Sequence, residues 1–415
     1  MFKNFITSEI LDELLIALKY IYWAMPVWLP AIFISFLFKA FLDYKRLKYW
    51  QKEGSVLLEI KLPKEISKSP VAMEAVLKAL HQTGKEGTWV DRIWKGQTRP
   101  WFSLELVSTE GKVRFFIWTK PAHRGPVEAH IYSQYPNVEI HEVEDYTKPF
   151  YYDPNRFSMW AGGFGLTKED AYPIKTYVDY NLDKDPKEEF KIDPMTPMLE
   201  FLGSIKTGEH IWIQILIRGH KKRRIADVFG EKEDAWKDQA KKEVEAIIAE
   251  LKIESSDFPR VMTEGERDKI TALERSISKY PFDCGIRAIY IAEKDKFNGA
   301  NIGGIIGLWK QYSSPELNGI KPSGWQTIFD YPWQEWFGKK EKLAPKALDE
   351  YKLRRFFHSP LKGQKVWGKN IYSSQFVLNT EELATIFHFP GATASTPTLE
   401  KIPSLKSNAP SNLPT

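Results

Sequence analysis

Nineteen consecutive residues, Tyr20 to Phe38, carry no charge, and a basic stretch holding Lys39, Lys45, Arg46, Lys48 and Lys52 follows at once. At 1.5 Å rise per residue, about 20 apolar residues make a helix long enough to cross the ~30 Å hydrocarbon layer of a bilayer. The flank before the run sets Lys3 and Lys19 against Glu9, Asp12 and Glu13, whereas the flank after it opposes its cations with Asp43 alone. The positive-inside rule therefore predicts a single-pass protein of the cytoplasmic membrane with its C-terminal bulk in the cytoplasm. A cleaved signal peptide would end its apolar core at small residues, but Phe38, Lys39, Ala40, Phe41 and Leu42 stand there. Pro26 and Pro30 remove backbone donors from the run, a feature of buried soluble helices and equally of membrane helices. Tyr20, Tyr22, Trp23 and Trp28 at one end, with Tyr44 and Trp50 beyond the other, resemble interfacial aromatic belts. Whether Pro26 divides the element is left open by the residues alone.

Past the anchor, 1–53, the pattern is that of folded α+β material. Val56 to Leu62 reads as a strand, and Ser69-Pro70 is an N-cap with proline at the first helical position before Met73, Val76, Leu77 and Leu80 at helical spacing. Gly84 to Gly96 reads as a loop. Phe102, Leu104 and Leu106 alternate with Ser103 and Glu105 as in a half-buried strand, and Thr109-Glu110-Gly111-Lys112 turns the chain into a second one. A helix through Val127 and Ile131 and a strand ending at Val143 complete a βαββαβ order, the ferredoxin-like or split βαβ plan, over 54–147. A second, decorated α+β domain covers 148–391. It holds a helix opening at Asp193-Pro194, a strand alternating through Ile211, Ile213, Ile215 and Ile217, and two charged helices, about 232–251 and one opening on the capping box Thr263/Glu266. A strand from Phe282 to Ile291, a helix striped by Ile302, Ile305, Ile306 and Trp309, and a charged helix around 344–357 follow, and 313–369 fits no sheet. Phe376 to Leu378 is a late strand running into a helix capped by Asn379 and Glu382. The Thr, Ser, Pro and Asn composition of 392–415 reads as a disordered tail.

Catalytic chemistry has little to stand on. One cysteine, Cys284, excludes an internal disulfide framework, and its place between Phe282 and Ile286 reads as a buried small hydrophobe. His123 and His130 lie seven apart with no third ligand beside them, so no metal site is expected. Gly363 to Lys369 has the outer spacing of a phosphate-binding loop, but Asn370 stands where a metal-binding hydroxyl belongs and strand-like residues follow. No catalytic residue, cofactor or metal is expected. The densest basic run, Arg218, His220, Lys221, Lys222, Arg223 and Arg224, is a candidate contact for DNA phosphates or lipid headgroups, or a solvated loop. The net charge of +5 is too mild to choose among these.

Several stretches taken together, VLLEIKLPKEISKSPVAMEAVLKALHQTGKEGTW, TRPWFSLELVS, IYSQYPNVEIHEVEDYT, DPMTPMLEFLG with GEHIWIQILIRG, and FVLNTEELATIFHFPG, resemble the membrane-anchored N-terminal half of bacterial type IV secretion and conjugative-transfer ATPase-like proteins. In the fuller relatives, a region like the last stretch precedes an ATPase domain, which has no counterpart in this chain. The resemblance implies a non-catalytic scaffold or docking subunit of a transfer apparatus, in contact with the lipid bilayer and with other transfer subunits including an ATPase in trans. Homo-oligomerisation is a further expectation from that likeness. The alternatives are a DNA-guiding module that binds DNA weakly and an enzyme whose site has no recognised motif.

Overall fold

The computed structural model describes residues 13, 15–63, 68–84, 88–184, 192–221, 235–253, 262–324, 339–358, 365–366, 369–370, 374–391 and 401–402. In chain order the elements are α1 (Met25–Glu53), β1 (Val56–Pro63), α2 (Pro70–Leu80), α3 (Trp89–Ile93), β2 (Trp101–Thr109), β3 (Lys112–Thr119), α4 (Pro121–Gln134), β4 (Glu139–Val143) and β5 (Phe157–Leu166). Then come α5 (Met195–Gly203), β6 (Glu209–Gly219), α6 (Ala235–Ile253), α7 (Glu264–Ser278), β7 (Pro281–Glu293), α8 (Ala300–Gly307) and β8 (Ile320–Ser323). Last are α9 (Lys339–Lys352), β9 (Lys365–Val366), β10 (Lys369–Asn370), β11 (Phe376–Asn379), α10 (Thr380–Ile386) and β12 (Lys401–Ile402). The chain forms two compact units. One holds α1 together with α3 and the strand of chain to Thr98; the other holds the remaining described elements.

The second unit is built on one large sheet, antiparallel throughout except where β12 joins β1. Its first half pairs in the order β4-β1-β3-β2 and its second in the order β6-β7-β5-β8, and β2 against β6 makes the two halves continuous. The 54–147 and 148–391 regions read from the sequence therefore share a sheet.

Local chemistry explains the elements. Ser69 Oγ accepts from Val71 N at 3.3 Å to start α2. Capping boxes Thr263/Glu266 and Asn379/Glu382 start α7 and α10. The β2–β3 hairpin turns through Glu110 and Gly111, whose φ values of 54° and 85° suit the mirror-image turn that matches strand twist. Gly111 also tolerates no side chain, because a Cβ would stand 2.9 Å from the Ile205 carbonyl oxygen.

Alternate strand residues face a layer of helices. Leu58, Ile60, Leu104, Leu106, Phe115, Ile213, Ile215, Ile286 and Ala288 meet Met73, Val76 and Leu77 of α2, Val127 and Ile131 of α4, Met198 and Leu202 of α5, and Leu383 and Ile386 of α10 in one apolar core. The opposite face is buried too. Ser103 and Glu105 are fully inaccessible, so β2 is not the half-buried strand that its alternation predicts: the chain around Tyr351–Phe357 covers the face they point to. Burial on both faces is what gives β6 and β7 their near-continuous apolar sequences.

Other expectations also need correction. The loop read over Gly84 to Gly96 contains α3, because Thr88 and Asp91 form a capping box whose side-chain and backbone bonds close a short helix. The 313–369 region does supply sheet, since β8 pairs with β5. The charged helix ends at Lys352 rather than Phe357, and Arg354 turns the chain with a φ of 49°. Lys369 and Asn370 form a short strand against Lys365 and Val366, not the helix start that a phosphate loop requires. Within the expected tail, Lys401 and Ile402 pair with β1; its remaining positions lie outside the described residues, as does the segment 363–364.

Gly285 of β7 lies under Phe356, where a Cβ would come within 2.2 Å of the ring. Gly285→Ala is expected to lower stability by about 1–3 kcal/mol through overpacking. Gly303→Ala, on α8 with nothing within 4 Å of its Cβ, is expected to be neutral or to stabilise by up to ~1 kcal/mol. Urea midpoints of the two variants against the parent read the contrast.

Candidate functional site

Three features of the described residues bear on function: the apolar helix, the basic run after β6, and the polar face of the sheet. In α1 every residue from Met25 to Ala40 is exposed, and among the described residues it is the one helix long and apolar enough to cross a membrane. The chain is helical through Trp23, turns at Ala24 and resumes at Met25, so a break does occur beside Pro26. The break is bridged: Ala24 O accepts from Val27 N and Trp28 N, and Trp28 Nε1 donates to the Ile21 carbonyl at 3.0 Å. Satisfying carbonyls in this way is what lets proline stand in an apolar helix without leaving bare backbone polar groups. Of the flanking cations, Lys39 and Lys48 are exposed, Lys45 Nζ lies 5.4 Å from the centre of the Phe41 ring, and Arg46 pairs with Asp43 at 3.6 Å.

The basic run is divided by the end of β6. Arg218 is still in the strand, buried on the sheet face opposite the helices, where Nε and Nη2 both donate to Asp283 Oδ2 at 3.2 and 2.8 Å. His220 Nδ1 meets Asp283 Oδ1 at 2.6 Å, and Arg99 Nη2 approaches Oδ2 at 3.4 Å. Burial by itself would raise the Asp283 carboxyl, but the His220 hydrogen bond and the Arg218 and Arg99 guanidiniums overcome it and hold the group at about 2. Arg218 and His220 are thus committed to an internal carboxylate, which corrects their expected place among contacts to phosphate or lipid: sheet pairing through Gly219 aims Arg218 inward. Lys221 is exposed. Lys222, Arg223 and Arg224 lie outside the described residues.

A second polar centre was not signalled by any motif. Glu105 of β2 is fully buried, and Arg354, also fully buried, grips it through Nε–Oε1 and Nη2–Oε2 contacts of 3.0 Å each. The two groups are 249 residues apart in the chain. Ser103, Gln214 and Tyr146 donate to the same carboxylate at 2.7, 3.0 and 2.8 Å, and Asp145 takes the far side of the Arg354 guanidinium. Arg287 Nε donates to Gln214 Oε1 at 2.8 Å and extends the chain of contacts across β7. Burial works against the Arg354 charge, but Glu105 above all, with Asp145, more than restores it, so the guanidinium stays protonated. Burial likewise pushes the Tyr146 and Tyr351 hydroxyls up and keeps them neutral. Glu105 accepts five hydrogen bonds here, which leaves its oxygens no lone pair to abstract a proton or hold a metal. Chemically the centre is a clamp that seats the turn after α9 on the sheet. The only sequence signal for it is the presence of Glu105, Gln214 and Arg287 inside otherwise apolar strands.

A cleft of about 500 Å³ opens beside this centre, lined by Ser55, Val56, Leu57 and Trp118 with Glu142, Glu144, Asp145 and Lys148. Cys284 is buried in the apolar core; burial pushes its thiol up, away from the thiolate a nucleophile needs. His123 packs edge-on against Phe102.

Residues 44–401 match the model of a family described as Domain of unknown function (DUF8128), and the chain belongs to that family. No curated protein matches the chain.

Removing one partner of a buried ion pair leaves the other charged and unpaired, so Glu105→Gln is expected to cost about 3–5 kcal/mol, whereas the paired replacement Glu105→Leu with Arg354→Met recovers most of that loss. Denaturant titration of the single and double variants measures it. For Asp283, a folded pKa of about 2 lies below the ordinary carboxylate value of ~3.9, so its stabilisation is fully present above pH ~4 and is lost as pH falls toward 2. The contribution is about 2 kcal/mol. Asp283→Asn should abolish that part of the acid dependence, read as a flatter profile of unfolding midpoint between pH 4 and 2.

Proposed function

We propose that the protein is a single-pass, membrane-anchored docking subunit of a type IV secretion or conjugation-like transfer apparatus, with its α+β body on the cytoplasmic side. The observation that carries the reading is α1: an exposed apolar helix whose charges begin at Lys39 and are mainly basic after it, leading within a few residues into β1. Within the body, each half of the sheet has the strand order of a split βαβ unit, β4-β1-β3-β2 and β8-β5-β7-β6, and we read them as two ferredoxin-like units joined at β2–β6. Their polar centres are saturated by internal partners, which favours binding and positioning over catalysis. The transfer-apparatus setting comes from the stretches described above, including FVLNTEELATIFHFPG, which here builds β11, α10 and the Phe387–Phe389 corner against Phe115. Other transfer subunits, an ATPase in trans among them, are the partners this reading assigns.

Full-length protein is expected to sediment with membranes and resist alkaline extraction, whereas a variant lacking 1–39 should be soluble. In-membrane crosslinking should then recover transfer-machine ATPases. Full-length protein that is soluble and monodisperse without detergent overturns the anchor, and recovery of unrelated metabolic enzymes alone overturns the docking role.

A further inference from the structure

The unit that holds α1 also holds α3, and the contacts between them follow the helix axis. Trp94 packs edge-on against Phe41 with ring centres 5.9 Å apart. Gly96, at φ 66°, lies so close that a Cβ would stand 2.5 Å from the Lys45 carbonyl carbon. Trp50 Nε1 donates to Thr98 Oγ1 at 3.0 Å. From residue 94 to residue 98 the chain therefore runs along α1 away from the apolar stretch. The nine residue steps from Phe41 to Trp50 correspond to ~13 Å of rise. This direction puts the C-terminal end of α3, at Trp94, at the end of the clamp nearest the span, level with the first charges after Phe38.

At that level α3 turns large apolar groups outward. Trp89, Val90 and Trp94 are 60%, 37% and 55% exposed. The one carboxylate among them is answered locally: Asp91 Oδ2 accepts from Thr88 N and Oγ1 at 3.3 and 2.7 Å, and Asp91 Oδ1 pairs with Lys95 Nζ at 2.8 Å. Two outward tryptophans beside cations, continuous with an exposed apolar helix, match the headgroup–acyl boundary, where amphipathic rings keep an apolar body in lipid and an indole N–H in the wet layer. Singly scattered apolar side chains need no explanation, but a patch joined to a span does.

We propose that α3, through Trp89, Val90 and Trp94, is a second membrane contact, a foot that enters the lipid interface beside α1 and fixes the depth of the anchor. The proposal rests on the membrane reading of α1, and the experiment separates the two. Single cysteines at Phe33→Cys, Trp89→Cys and Val90→Cys in the full chain are labelled with an environment-sensitive fluorophore, the buried Cys284 staying unreactive in the native protein. Each is reconstituted in phosphatidylcholine–phosphatidylglycerol vesicles and challenged with aqueous iodide and with lipids spin-labelled near the headgroup or deep in the tail.

The expected result is iodide protection at all three positions, strongest quenching by the shallow spin label at 89 and 90, and strongest quenching by the deep label at 33. Iodide access at 89 and 90 with lipid quenching retained at 33 overturns the foot and leaves the span standing. Protection from iodide without lipid quenching at 89 and 90 also overturns it, because protein rather than lipid then covers the patch. Loss of lipid quenching at 33 overturns the span and the foot together.

Discussion

The antiparallel ladder between β2 and β6 runs in register from Trp101 opposite Arg218 to Thr109 opposite His210, and the rest of the folded body is arranged around it. Unpaired, each of these strands would be a long apolar sheet edge, the feature most prone to pairing with another chain. Joined, they become the middle of one sheet, and that sheet has two wide faces to cover. Helices from both halves cover one. The turn after α9 covers the other, which is why a chain segment so distant from β2 in sequence ends up bonded to Glu105.

That second face is where polar groups were placed and where the structure is most particular. An apolar seam would hold the Tyr351–Phe357 turn in many neighbouring positions, whereas Arg354 satisfies Glu105 and Asp145 together in only one. The same holds at the end of the seam, where Asp283 gathers Arg218, His220 and Arg99 around one carboxylate. Buried ion pairs stabilise little relative to apolar packing, so their contribution here is register: they fix which residue of the covering turn meets which residue of the sheet. A body held this way presents fixed outer surfaces.

The unit that holds α1 follows other physics. Water disfavours the exposed face of α1, and lipid is the solvent that would match it. The clamp from Trp94 to Thr98 begins where that apolar face gives way to charge, so among the described residues the helix is exposed along its apolar length and packed against α3 and the chain after it beyond that length. Membership in the DUF8128 family covers the body and the basic end of α1 alike, since the match begins at residue 44.

Much of this was legible in order along the chain. The uncharged run before Lys39, the Ser69-Pro70 cap, the Thr263/Glu266 and Asn379/Glu382 boxes and the Glu110-Gly111 turn are local devices, and each acts through neighbours within a few residues, so sequence alone determined the apolar helix, the α+β class and most element starts. What reached the interior did not follow from local pattern. Alternation in β2 is the same whether Ser103 and Glu105 meet water or Arg354, and the basic run reads as one cluster until the end of β6 separates inward Arg218 from outward Lys221. Only the tertiary structure decided that the two halves share a sheet, that its second face is dry, and that charges there pair across hundreds of residues, because those contacts depend on which strands become neighbours and no periodicity within a strand encodes its neighbour.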